Sequence, residues 1–193
     1  MQEIEIEFKN ILTKQEFDTL LQWFQIKSEQ FQPQTNYYFD TEDYLLKKNE
    51  SALRIRKKGH DFILTLKQPL EEGLLETHQV LSEKEALALL NGGPIPYGLV
   101  YDQVEAVVST PASIVYFGEL MTERTEVAYK DGIIVLDKSH YLNHTDYEVE
   151  YEVRDAVTGK KTFEELLHSL SIPIRETNNK IKRFYLAKYN QKD

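Results

Sequence analysis

Ile4, Ile6 and Phe8 alternate with Glu3, Glu5, Glu7 and Lys9 at the start of the chain. Period-two alternation predicts a strand over about 3–9 with one apolar face. The pattern recurs downstream. Leu53 and Ile55 oppose Arg54 and Arg56, Leu64 and Leu66 oppose Thr65 and Lys67, and Tyr147, Val149, Tyr151 and Val153 oppose Glu148, Glu150 and Glu152. Further strands are predicted at 35–40, 74–81 and along 113–141, with hairpins turning at Gly59–Asp61 and at Asp131–Gly132. Helical spacing appears at about 14–26, where Phe17, Leu20, Leu21 and Phe24 form a stripe behind a capping box of Thr13 and Glu16. Ser82 and Glu85 open a second helix that ends near Gly92, and a weaker pattern covers 99–108. Thr162 and Glu165 open a short helix, and 177–189 forms a terminal one.

About eight strands joined by turns or single helices predict an α+β chain. Its sheet is mainly antiparallel or closes into a barrel, with helices outside. The charged faces admit two readings. In an open sheet they would meet water while helices cover the apolar face. In a barrel they would point inward, where charge is costly unless hydrated, paired or bound to ligand. Acids concentrate on the first and last strands and bases on the middle pair. Carboxylates in rows hold hard cations such as Mg²⁺ or Mn²⁺, and Arg and Lys hold phosphate oxygens. An interior with both would suit a metal–polyphosphate complex.

Composition leaves that picture standing. The 193 residues suffice for a substantial core, and 41% apolar with 28% charged residues is ordinary for a soluble globular protein. A net charge of −9 argues against non-specific binding to nucleic acid or to acidic membranes. The absence of cysteine excludes disulfides and thiolate metal sites and fits a cytoplasmic protein. No basic-then-apolar leader opens the chain and no run of about 18 apolar residues occurs, so neither export nor membrane spanning is expected. The longest Gly/Pro break, NGGPIPYG at 91–98, leaves neither side with a complete domain.

The strand motifs also stand in a known order. EIEFK (5–9) matches the E-x-E-x-K signature that opens the CYTH family, the triphosphate tunnel metalloenzymes. NYYFDT (36–41), LRIR (53–56), LTLK (64–67), RTEV (124–127), VLDKS (135–139), YEVEYEV (147–153) and NKIKRF (179–184) follow in that family's order. The chain resembles the small bacterial members, with a single CYTH-like domain over 1–193. The resemblance implies an antiparallel eight-stranded β-barrel with helices packed outside. It also implies divalent-metal-dependent hydrolysis of a triphosphate. Glu5, Glu7, Asp137, Glu148 and Glu150 would hold metal, Mg²⁺ or Mn²⁺. Lys9, Arg54, Arg56, Lys67, Arg124, Lys180 and Arg183 would hold substrate phosphates, the last two from the terminal helix. Glu148, Glu152 and Lys180 would serve catalysis. Glu76 shares the inward face with a less defined role, and Glu3 falls outside the motif.

The spacing suits that chemistry. E-x-E places two carboxylates about 7 Å apart on one strand face, and Lys9 lies one step further along. Phosphoryl transfer needs chiefly positioning and charge neutralisation. Other motifs carry simpler readings. His140 and His144 have helical zinc spacing but fall in a loop between strands, NGGP lacks the G-K-[ST] of a phosphate loop, and KIKRF sits in an acidic chain. The expected substrate is a small-molecule triphosphate, inorganic triphosphate first. Adenylate cyclisation of the class IV type, thiamine triphosphate hydrolysis and binding without turnover are the alternatives. No membrane or nucleic-acid partner is expected.

Overall fold

The structure is a computed structural model and describes residues 1–108 and 111–190. Eight strands, β1 (Gln2–Leu12), β2 (Gln32–Thr41), β3 (Ala52–Lys58), β4 (Asp61–Pro69), β5 (Leu74–Leu81), β6 (Ile114–Tyr129), β7 (Gly132–Tyr141) and β8 (His144–Val153), close into a barrel. Their order is β1-β5-β4-β3-β2-β6-β7-β8. The pairs β1–β8, β2–β3, β3–β4, β4–β5, β6–β7 and β7–β8 run antiparallel. The helices are α1 (Lys14–Trp23), α2 (Leu45–Lys48), α3 (Glu83–Leu90), α4 (Leu99–Val108), α5 (Ala156–Ser169) and α6 (Lys180–Asn190). Among the described residues, no helix is long and apolar enough to cross a membrane.

Packing divides the chain into two compact units. One comprises Met1–Ile4 and the described residues of Gln34–Leu120. Its core joins Leu53 and Ile55 of β3, Leu64 and Leu66 of β4 and Leu81 of β5 to Ala86 and Leu89 of α3 and Val100 and Val104 of α4. The other comprises Glu5–Pro33 and the described residues from Met121 onward. There Ile134 and Leu136 of β7 and Val149 and Tyr151 of β8 pack on Phe17 and Leu20 of α1 and Phe163, Leu166 and Leu167 of α5. Each such side chain contributes about 1.5–3 kcal/mol on burial. In both units the apolar strand face is the one under the helices. The opposite, charged face therefore lines the inside of the closed barrel.

Local signals explain most elements. Thr13 Oγ1 accepts the Glu16 N–H at 3.2 Å while a Glu16 oxygen accepts the Thr13 N–H at 2.8 Å, so the expected capping box starts α1. Ser82 and Glu85 start α3 in the same way. Gly59, at φ +60°, turns the β3–β4 hairpin. The segment around His140 and His144 is tighter than the loop expected from sequence. Leu142 and Asn143 both have positive φ (44° and 65°), the backbone of a two-residue hairpin, so the two histidines end β7 and begin β8. His140 is engaged by Glu123 Oε1 and Thr145 Oγ1, each at 3.1 Å.

Three helices depart from expectation. α2 carries no sequence signal, because its cap comes from a distance. The buried Asp40 carboxylate accepts N–H bonds from Leu46 (2.9 Å) and Lys47 (3.1 Å) as well as from Thr41. α5 starts at Ala156, with Asp155 as N-cap accepting the Thr158 N–H at 2.8 Å, and not at Thr162. Gly159 lies buried in the first turns of α5 against Val153. A Cβ there would stand 2.6 Å from Val153 Cγ2. α6 starts at Lys180, later than the pattern suggests, because the preceding segment is bound to β1. Asn10 Oδ1 accepts the Arg175 N–H (2.6 Å), and Thr177 Oγ1 accepts the Ile11 N–H (2.8 Å). Arg175 is further clamped by both Glu16 oxygens, at 2.8 and 2.9 Å.

Gly159→Ala tests the close approach of α5 to β8. Alanine gains about 1 kcal/mol in helix propensity, but forced overpacking costs about 1–3 kcal/mol. A net loss of stability is expected in urea denaturation. A variant more stable than the parent would mean that Val153 yields easily.

Candidate active site

The inner face of the second unit is built from β6, β7, β8 and β1 in register. Asp137 lies opposite Glu148 and opposite Arg124, Glu150 opposite Lys9, and Glu152 opposite Glu7. Asp137, Glu148 and Glu150 are 0%, 1% and 5% exposed. Three buried carboxylates side by side would be untenable alone. Cations from other elements neutralise them. Lys180, the first residue of α6, places Nζ 2.5 Å from Glu148, 2.6 Å from Glu150 and 2.9 Å from Asp137. Arg124 grips Asp137 with Nε (2.8 Å) and Nη2 (2.6 Å) and reaches Glu150 at 2.8 Å. Lys9 is bonded to its own strand neighbour Glu7.

These charges sort the carboxyls. For Asp137 and Glu150 burial disfavours ionisation, but for Asp137 the Arg124 and Lys180 charges, and for Glu150 the Lys180 and Arg124 charges, outweigh it. Asp137 is held below its ordinary range and Glu150 well below. For Glu148 burial prevails over Lys180 and pushes the carboxyl up to about 7. Burial likewise raises Glu152, whose nearest cationic group is Arg124 Nη1 at 4.0 Å.

A second cation docks α6. Arg183 Nη1 approaches Glu148 Oε2 at 2.5 Å without hydrogen-bond alignment, and its Nε bonds Asp146 at 2.9 Å. Tyr141 donates to the same Asp146 oxygen at 2.5 Å. Arg183 Nη2 is buried without a hydrogen-bond partner. Asp146 was missed by sequence reasoning, although it extends the period-two row of Glu148, Glu150 and Glu152 by one step.

The first unit carries the basic strands. Arg54, Arg56 and Lys67 share the inner face of β3 and β4, where Arg54 pairs with Thr65 and Ala52 with Lys67 in register. Arg56 Nε donates to Asn36 Oδ1 at 3.4 Å. Lys67 is ion-paired with the buried Glu76 directly opposite on β5. Arg54 Nε is buried and has no hydrogen-bond partner. A buried guanidinium N–H left open in this way suits an incoming anion.

Asp137, Glu148 and Glu150 each offer a carboxylate oxygen, all within 4.8 Å of one another. Hard oxygen donors spaced this closely fit a divalent cation of the Mg²⁺ class, whose ligands stand about 2.1 Å from the ion. Such an ion would take the place that the Lys180 ammonium holds. Of the expected metal ligands, Glu7 lies on the same inner face but is engaged by Lys9, and Glu5 lies half-buried one step further along β1.

Comparison with known proteins bears on this geometry. A family model described as CYTH domain matches residues 3–185. A Bacillus subtilis (strain 168) protein named "Putative triphosphatase YjbK" is 51% identical over 187 residues, 97% of each chain. The crystal structure of a "putative adenylate cyclase" from Bacillus halodurans superposes with a TM-score of 0.92 at 42% identity, covering 95% of this chain and 98% of that one. A Hippeastrum protein described as a "putative adenylyl cyclase" shares the fold at a TM-score of 0.78 and 22% identity, covering 96% of this chain and 95% of its own. With its matched motifs on the inner face of a closed eight-stranded barrel, the chain belongs to the CYTH domain family.

Proposed function

We propose that this protein is a divalent-metal-dependent triphosphatase acting on a small-molecule triphosphate, inorganic triphosphate first, in the cytoplasm. One observation carries the reading: the buried oxygen cluster of Asp137, Glu148 and Glu150, bridged by the Lys180 ammonium. The name of the Bacillus subtilis relative supports the reaction class. The open Arg54 Nε supports an anionic ligand on the basic strands. The family model runs through both units, which supports one functional domain over 1–193.

In this reading Asp137, Glu148 and Glu150 hold the metal, with Glu5 and Glu7 extending the acidic row. Mg²⁺ or Mn²⁺ would neutralise phosphate charge and lower the pKa of a bound water. Arg54, Arg56 and Lys67, with Lys9, Arg124 and Arg183, hold phosphate oxygens through charge-assisted bonds. Arg124 also fixes Asp137 and Glu150 in place through its paired N–H groups. Glu148 and Glu152 would orient the attacking water; without metal, burial raises both carboxyls, that of Glu148 to about 7. Lys180, which holds Asp137, Glu148 and Glu150 here, would supply its charge to the phosphates once a metal took its place.

Phosphate release from inorganic, thiamine and nucleoside triphosphates with Mg²⁺ or Mn²⁺ tests the assignment. Cyclic AMP formed from ATP would instead support the cyclase reading, which the name of the Bacillus halodurans relative favours. Tight binding without turnover would leave a polyphosphate-binding module.

Arg56→Ala probes the basic strands. Charge-assisted bonds contribute about 1.5–3 kcal/mol each. Triphosphate affinity is therefore expected to fall at least tenfold in calorimetry, while monophosphate affinity barely changes. Equal losses for both ligands would remove Arg56 from the phosphate site.

A further inference from the structure

Lys67 does not stand alone on its strand. It is ion-paired with Glu76, which is 5% exposed and lies directly across the β4–β5 ladder. The next rung on the same face pairs Thr65 with His78. His78 Nδ1 meets Thr65 Oγ1 at 2.9 Å, and Nε2 faces Glu3 Oε1 at 3.0 Å and Glu76 Oε2 at 3.3 Å. Carboxylates at neutral pH only accept hydrogen bonds. Nε2 must therefore carry the proton that both share. In the neutral ring Nδ1 is then an acceptor, and it takes the Thr65 hydroxyl proton. The backbone fixes the ring from the other side: the Met1 ammonium donates to the His78 carbonyl at 3.0 Å, and the His78 N–H donates to the Met1 carbonyl at 2.8 Å.

The result is a directed chain: Thr65 to His78, His78 to Glu76 and Glu3, and Glu76 to Lys67. With the ring neutral, each link can be made in only one sense. A lysine side chain has many rotamers, and a single carboxylate with freedom to rotate would localise it poorly. A carboxylate pinned at one oxygen presents the other in a fixed direction.

We propose that His78, oriented by Thr65 and assisted by Glu3, is a positioning residue that locks Glu76 and through it aims the Lys67 ammonium at substrate phosphate. The proposal rests on the reading of Lys67 as a phosphate ligand. Glu3, which the E-x-E-x-K motif leaves out, thereby joins the site's support. The ligand atoms of Glu3, Glu76 and His78 also lie within 4.8 Å of one another. That closeness follows from the hydrogen-bonded chain, since Glu76 already holds the Lys67 cation and Nε2 already holds a proton.

The test is the calorimetric affinity of the purified protein for inorganic triphosphate without metal, so that turnover does not interfere. Lys67→Ala is expected to weaken binding at least tenfold. His78→Leu, which fills the space but can neither donate nor accept, should weaken it about fivefold to tenfold. His78→Gln should recover most of the loss, because its amide donates to Glu76 while its carbonyl accepts from Thr65. In a Lys67→Ala background, His78→Leu should add less than twofold. Glu3 has an exposed side chain (57%), so Glu3→Gln will fold, and it should weaken binding about twofold to threefold only when Lys67 is present.

The outcomes separate. If wild type fails to bind, or Lys67→Ala binds as wild type does, the phosphate reading falls and the positioning role with it. If Lys67→Ala is impaired while His78→Leu and Glu3→Gln are not, the phosphate reading stands and the positioning role falls. Equal losses from His78→Leu with and without Lys67 would make the effect general destabilisation and would also overturn it. Should His78→Leu fail to fold, the Glu3→Gln pair of backgrounds decides alone.

Discussion

Glu150→Gln and Glu148→Gln are each expected to lower triphosphate hydrolysis by about 100-fold or more, yet to move the metal-free melting temperature in different directions. Both remove an oxygen charge from the proposed metal site, and losing such preorganised electrostatics typically costs 10²–10³ in rate. Their metal-free environments differ. Glu150 ionises well below its ordinary value because Lys180 and Arg124 outweigh its burial. A depressed carboxyl contributes stability that is present above its unfolded pKa and lost as pH falls through the folded one. Glu150→Gln at pH 8 removes that contribution and leaves the cations short of a partner, a loss of about 3 kcal/mol or roughly 6–12 °C. Glu148 has the opposite sign. Its carboxyl is raised to about 7 by burial, so the folded state loses stability from this group as pH rises from about 4.5 to 7. Glu148→Gln at pH 8 removes a charge that the fold disfavours, and its metal-free melting temperature should stay level or rise. Melting curves with and without Mg²⁺ or Mn²⁺, beside phosphate release, report all of this. A Glu150→Gln variant with full activity and the full metal-induced shift would sink the metal assignment.

Lys180→Ala is expected to slow hydrolysis at least tenfold, about 1.4 kcal/mol in the barrier, and at the same time to enlarge the metal-induced rise in melting temperature. The ammonium contacts all three carboxylates that would hold metal. A metal bound there would have to displace it, and that competition would lower the apparent metal affinity. With Lys180 gone, the metal-free protein loses a buried partner and melts lower. Metal then binds an uncontested site, and each tenfold gain in affinity adds about 1.4 kcal/mol of stabilisation at saturating metal. A solvated lysine would change neither quantity. If the rate falls but the metal shift shrinks, Lys180 acts on the carboxylates as a support and not as a competitor.

Charge patterning made the site legible well before the fold was. The alternation in β1, β3, β4 and β8 assigned the charged residues, Lys57 excepted, to one face, because a strand has a period of two and no other freedom. That already separated Glu148, Glu150 and Glu152 from Tyr147, Val149 and Tyr151. Capping boxes marked α1 and α3 because their partners lie three residues apart. Elements whose determinants lie elsewhere in the chain were not legible. Asp40 caps α2 across a turn, Gly159 is demanded by Val153 on another element, and Arg175 and Thr177 are held straight by β1.

The sequence by itself determined which side chains share a face, and the order of motifs that marks a CYTH chain. It did not determine whether the charged face meets water or the inside of a barrel, since alternation is identical in both. Closure through the β1–β8 pairing decided that, because it turns the charged face away from bulk solvent, and the most deeply buried carboxylates, Asp137, Glu148 and Glu150, are each met by a cation. Only the folded chain brings Lys180 to Asp137, Glu148 and Glu150, and His78 between Glu3 and Glu76. Those pairings join residues far apart in the chain, where local periodicity carries no information, and burial then makes them strong by excluding the water that would screen them.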